Sequence, residues 1–202
     1  MKIQISIVLV FIAVCFACGD ETKTIEETND AGVVIKRYVI NEENQKKEGI
    51  YMEYDEEGKL IEEATYVADI LEGERKIYYS NGQIQYLERY SNGQYEGKYQ
   101  AFHENGKLAL EGQYENNAMT GEWLGYYDNG QMKERVRFEG GNENGPFMEW
   151  HPNGKEKAKG KYLDGDQEHG ELLLFDEDGV LNRKMDCVRG RCTTTWKKED
   201  SE

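Results

Sequence analysis

Few side chains in this chain of 202 residues are of a type and spacing that could do chemistry. The thiols come first: Cys15, Cys18, Cys187 and Cys192. The last two bracket Val-Arg-Gly-Arg, a loop short enough to set them opposite one another on a hairpin. Opposed residues there have Cα atoms about 4.5–5.5 Å apart, within the span of a disulfide. A redox or metal dithiol is the rival reading. The spacing is C-x₄-C rather than C-x-x-C, no histidine is near, and the pair sits at the chain end. A structural disulfide is therefore expected, pinning a last strand over Thr193–Trp196 across an open sheet edge. The acidic clusters Asp164–Glu168 and Asp176–Gly179 resemble pieces of calcium loops, but neither has the D-x-D-x-D-G spacing closed by a glutamate, so they read as turn acids. There is no G-x-S-x-G, no Walker loop and no isolated carboxylate pair. The expectation is a protein with no catalytic residues, no metal ligands and no cofactor.

The remaining two thiols belong to the N-terminus. One lysine precedes an apolar run from Ile3 to Ala17, which is shorter than the ~20 residues a bilayer-spanning helix needs. A basic start and a short apolar core ending in a small residue read as a secretory signal over residues 1–17. Ala17-Cys18 resembles a bacterial lipobox, in which the signal is cut before the cysteine and Cys18 receives the acyl chains. Cys15 and Phe16 depart from the usual upstream residues, and an ordinary signal peptide or uncleaved anchor is the alternative. Two or three acyl chains suffice to hold a protein on a membrane. Residues 18–32 then read as the lipidated cysteine followed by an acidic, flexible tether.

Composition narrows the partners. The formal net charge is −15, with 32% charged residues and 38% hydrophobic ones. Strong acidity argues against nucleic acid, whose phosphates call for Lys and Arg, and against capture of anionic lipid by charge alone. The 14 tyrosines argue against disorder.

The body of the chain, residues 33–196, is a repeat. Glycines open units at Gly49, Gly73, Gly97, Gly121, Gly145 and Gly170, at spacings of 24, 24, 24, 24 and 25 residues. Such a period means an array of small supersecondary units. Further into each unit stands Gly58, Gly82, Gly106, Gly130, Gly154 or Gly179, preceded in four of them by Asn. Asn-Gly suits a type I′ turn. A second turn follows at Asn92-Gly93, Asn116-Asn117, Gly140-Gly141 and Asp164-Gly165, so each unit is two antiparallel strands. The expected fold is all-β: a single-layer antiparallel meander of about six stacked hairpins. A capping strand at Val33–Ile40 precedes it and the charged tail 197–202 follows it. His103 and His151 hold one repeat position two units apart, about 19 Å by strand spacing, too far to share a zinc ion.

Two aromatic rows run through the array. Tyr54, Tyr78, Phe102, Tyr126, Trp150 and Phe175 lie four residues before the turn glycine. Tyr51, Tyr99, Trp123, Phe147 and Leu172 lie three residues earlier, with Arg75 as the exception. Three is an odd number, so the rows should face opposite sides unless a bulge intervenes, and each unit-initial glycine could hold one. The uninterrupted first row is expected to be core. The row broken by Arg75 is expected to be a partly exposed binding ladder of Tyr51, Tyr99, Trp123 and Phe147, because a core row tolerates Arg poorly. The alternative is that both rows are buried.

Gly-x-aromatic-x-x-aromatic, then Asn-Gly-Lys/Gln-apolar, then Tyr and Gly, resembles the MORN repeat in the variant of YwqK-type antitoxin-like proteins. "GEWLGYYDNGQMKERVRFEGG" and "GKYQAFHENGKLALEGQYENN" carry it best, and the likeness covers about Gly49 to Cys187. In the sixth unit Cys187 replaces the tyrosine. The resemblance implies an open or half-pipe sheet, elongated and curved, without a catalytic centre and used for interaction and scaffolding. Three functions follow as expectations. The first is a lipid-anchored interaction module for a protein or peptide partner in the bacterial envelope. The second is carbohydrate or cell-wall binding through stacked aromatics. The third is an antitoxin or immunity role.

Overall fold

The computed structural model describes residues 21–199; Cys15, Cys18, the signal segment and the end of the charged tail lie outside them. Sixteen strands and no helix make up the described residues. They fall into two compact units, divided between Tyr95 and Glu96. The first holds β1 (Thr22–Thr28), β2 (Val34–Asn41), β3 (Lys47–Tyr54), β4 (Leu60–Val67), β5 (Ile70–Tyr78), β6 (Ile84–Ser91) and the short β7 (Gln94–Tyr95). The second holds β8 (Gly97–Phe102), β9 (Leu108–Glu115), β10 (Ala118–Tyr126), β11 (Met132–Glu139), β12 (Asn142–Trp150), β13 (Glu156–Tyr162), β14 (Gly170–Phe175), β15 (Leu181–Val188) and β16 (Arg191–Lys197). Within each unit every strand pairs antiparallel with the next in sequence. The meander is what short turns and period-2 patterning demand.

The first strand begins earlier than expected. Thr22–Thr28 pairs with β2 in register Thr24↔Val39 and Ile25↔Tyr38, so Val33–Ile40 is not the outermost strand and the tether is structured over these residues. The β-branched run Thr22, Thr24, Ile25 and Thr28 favours a pleated surface. Arg37 Nε donates to Glu26 Oε1 at 2.7 Å and the Tyr38 hydroxyl to Glu27 at 3.0 Å, so the acids that suggested a free tether are cross-strand partners.

The two turns of each repeat differ. At Asn92-Gly93, Asn116-Asn117 and Gly140-Gly141 both central residues have positive φ, the two-residue type I′ hairpin. At the Asn-Gly turns only the glycine does, so these are not type I′ as expected. Tyr79 N–H donates to Gln83 O and Gly82 N–H to Tyr79 O, and Gly82 takes the left-handed conformation that closes a longer loop. The asparagine acts through its side chain. Asn105 Oδ1 accepts from Lys107 N–H, while its Nδ2 donates to Asp128 O at 2.8 Å, 23 residues on. Asn129 and Asn153 repeat this toward Pro152 O and Glu177 O. One asparagine thus closes its own turn and fastens it to the next hairpin.

Candidate binding surface

Strand parity assigns one face of the first unit's strands to Tyr51 and Ala64, and one face of the second unit's strands to Tyr99, Gly112, Trp123, Val136, Phe147 and Gly160. The register sets Tyr51 opposite Ala64, Tyr99 opposite Gly112, Trp123 opposite Val136 and Phe147 opposite Gly160. This face is the core. Trp123 is 2% exposed, Phe147 4%, Tyr51 7% and Leu172 8%. Small residues lie under large ones: a Cβ built on Gly112 would stand 2.2 Å from the Trp123 ring, and one on Gly160 2.9 Å from Phe147. Trp123 also meets Tyr99, Tyr114 and Phe138 with ring centroids 5.1–6.0 Å apart. Cys187 closes this core with Val136, Phe147, Ala158 and Leu172, bonded to Cys192 directly opposite it in register. The row expected to be an exposed ladder is therefore the packing row; only Tyr99 of it is half-buried.

The other face carries the second row. Tyr54, Tyr78, Phe102, Tyr126, Trp150 and Phe175 are all half-buried, not core. A register shift sits just before each of them, between Glu53/Tyr54, Ile77/Tyr78, Ala101/Phe102, Gly125/Tyr126, Glu149/Trp150 and Leu174/Phe175. Their neighbours have the parity opposite to the core. The Tyr54 hydroxyl meets Met52 Sδ, the Tyr126 hydroxyl donates to Glu111, and Lys159 Nζ lies 5.2 Å from the Phe175 ring centroid. The opposite-face expectation holds, with the roles of the rows exchanged. A further bulge does sit at the unit-initial glycines: between Ala64 and Tyr66 of β4, strand β5 advances from Arg75 to Leu71 around Gly73.

Arg75 interrupts the row without taking it out of the core. It occupies the core row yet keeps its charge satisfied: Nε and Nη2 donate to the two Glu62 oxygens at 2.9 and 3.0 Å, and Nη1 to Glu88 Oε2 at 3.0 Å. Glu88 is 5% exposed and also accepts from the Tyr90 and Tyr95 hydroxyls. Glu62 and Glu88 occur on the core parity of β4 and β6, two and four residues into their strands, and that parity match is the signal by which the cluster could have been found. Nearby, Lys47 Nζ sits 4.9 Å from the Tyr51 ring centroid and 4.6 Å from that of Tyr66, a cation–π contact internal to the fold. Burial first, then the hydrogen bond to Glu53, pushes the Tyr51 phenol well above its usual range. Burial likewise pushes Tyr162 up to about 12, with the surrounding carboxylates adding to it.

Histidines and acids outside the core serve stacking. His103 Nε2 bonds Tyr126 O at 2.9 Å and His151 Nε2 bonds Phe175 O at 3.2 Å. Tyr127 at the same repeat position donates to Trp150 O. Glu48, Glu72 and Glu96, each just before a unit glycine, accept from the backbone N–H of Ala68, Asn92 and Asn116 in the following turn. Asp176 is held below the usual carboxylate range chiefly by the backbone N–H of Val180, as a turn acid would be. Among the described residues no group of three His, Cys, Asp or Glu is placed to hold a metal ion.

Residues 47–68, 71–92, 95–116 and 119–139 match the family model described as the MORN repeat variant. These four segments are MORN repeats. No curated protein matches the chain. Each MORN match begins near the unit glycine and ends at the two-residue turn. The same geometry continues past the last match, since β12–β13 and β14–β15 carry the same shift before Trp150 and Phe175.

Proposed function

We propose that the chain is a non-catalytic, lipid-anchored interaction module of the bacterial cell envelope, which takes a protein partner on the face opposite its core. The observation that supports this most is the half-buried row Tyr54, Tyr78, Phe102, Tyr126, Trp150 and Phe175. It recurs in every unit although it does not form the packing core. Half-buried aromatics bring large apolar area at low entropy cost and are enriched where interfaces concentrate their affinity. MORN repeats serve generally as interaction modules, and the mixed neighbours Met52, Glu63, Lys76 and Glu111 would give such a face its polar rim. A glycan is the second reading, favoured by the same aromatics, because sugar rings stack on them. Anchoring would come through acylation of Cys18, outside the described residues.

Two measurements test the reading. Cells labelled with a fatty-acid analogue should mark the wild type and not Cys18→Ala. The full chain should capture a protein from envelope extract, and the double variant Phe102→Ala/Tyr126→Ala should lose that capture while remaining folded. Retained capture by the double variant removes the aromatic face from the account. Capture of wall fragments instead of protein selects the glycan.

A further inference from the structure

The C-terminal hairpin differs from the rest of the chain in charge and in support. From Leu181 to Lys198 it carries Arg183, Lys184, Arg189, Arg191, Lys197 and Lys198 against Asp186 as its one acid, in a chain of formal net charge −15. Among the described residues its last strand, β16, pairs only with β15, so one edge of backbone N–H and C=O groups has no described strand beside it. Apart from Cys192, every residue of β16 is exposed, a pattern no other described strand of six or more residues has. A strand with both faces and one edge open to water gains little from burial, yet this one is fastened to the core by Cys187–Cys192. Trp196 remains 43% exposed upon it.

Open edges are templates for strand addition, and proteins commonly blunt them with lysine. Basic residues there repel an identical edge but attract an acidic one. The chain's other outer strand is a poor occupant, because the Glu26 and Glu27 carboxylates on β1 are already bound to Arg37 and Tyr38. We propose that β16 is a docking edge that takes an extended, acidic segment of a partner polypeptide as an added strand. The ladder supplies affinity, Arg191 and Lys197 select acidic side chains, and Trp196 covers an apolar one. The proposal rests on the interaction reading above but uses a different surface.

The test titrates the full chain in detergent micelles with a fluorescent peptide of alternating threonine and glutamate. The same peptide N-methylated at alternate residues and a threonine-lysine peptide serve as controls. Saturable binding of the acidic peptide is expected, with slowed amide exchange confined to Arg191–Lys197. N-methylation should weaken it about tenfold or more, because half the edge hydrogen bonds are lost. Arg191→Glu/Lys197→Glu should weaken it by a similar factor of about ten. Phe102→Ala/Tyr126→Ala should bind the peptide as the wild type does, which separates this proposal from the aromatic-face reading. Absence of saturable binding, equal binding of the N-methylated peptide, or protection that appears elsewhere would each overturn it. So would a β16 edge found occupied by a second copy of the chain.

Discussion

Arg75 and Trp123 hold the same position in repeats two units apart, and the fold satisfies them in opposite ways. Around Trp123 the cross-strand neighbours are Gly112 and Val136, and the indole lies flat where a side chain would otherwise be. Around Arg75 they are Ala64 and Glu88, and Glu62 completes the cluster with a two-pronged grip on the guanidinium. The backbone register is the same in both. The repeat therefore dictates where a side chain points, and the local neighbours decide what can fill the place. A row position is core because of the face it is on, whatever its polarity.

Substitutions at both sites and at their neighbours separate the two modes of filling. Trp123→Ala should have the largest effect, a loss of about 3–5 kcal/mol, because it opens a cavity among Tyr99, Tyr114 and Phe138. Denaturant unfolding measures it. Arg75→Ala comes next, at about 2–3 kcal/mol, below the ~3–5 of a fully enclosed pair because the guanidinium side chain is 25% exposed. It leaves Glu62 and Glu88 facing one another without their cation. Arg75→Met together with Glu62→Leu and Glu88→Gln should recover most of that loss, since apolar groups replace the buried ion pair while the glutamine carbonyl still accepts from the Tyr90 and Tyr95 hydroxyls. A triple variant less stable than Arg75→Ala would mean that the ions hold the fold in a way packing cannot.

Gly112→Ala should cost about 1–3 kcal/mol, because the new methyl meets the Trp123 ring and not solvent. The paired control Gly73→Ala has open space around its Cβ, so it reports only the strain of φ +82. A smaller, global effect follows from the tyrosines. Tyr51, Tyr66, Tyr90 and Tyr162 have phenols raised above their usual value, first of all by burial. A folded pKa above the unfolded one gives stability that is complete below about pH 10 and lost as pH rises through the raised value. Unfolding by alkali should therefore begin between about pH 10 and 12, together with phenolate absorbance. Ionisation of all 14 tyrosines near pH 10 in a protein that stays folded would contradict the burial of these four rings.

Much of this was legible in the sequence. The period, the two strands per unit, the opposite facing of the aromatic rows and the Cys187–Cys192 pairing all follow from local rules: turn residues, parity, or the reach of a short loop. The type I′ geometry does not, since it is expected at the first, Asn-Gly turns of the units and is found instead at Asn92-Gly93, Asn116-Asn117 and Gly140-Gly141. What was not legible depends on neighbours 11–24 residues away. Arg75 reads as a surface residue until Glu62 and Glu88 are set beside it. Asn105, Asn129 and Asn153 read as turn formers, although the second half of each side chain serves the next hairpin. Thr22–Thr28 reads as a tether because its acids look solvated, and only pairing with β2 reveals Arg37 and Tyr38 as their partners.

The row containing Trp123 is core and the row containing Trp150 is not. Two variants that each keep one tryptophan, with Phe at the other two positions, report on the two rows with the same probe. Emission from Trp123 should be blue-shifted and barely quenched by iodide, and emission from Trp150 red-shifted and readily quenched. A quenched Trp123 beside a protected Trp150 would contradict that assignment of the rows.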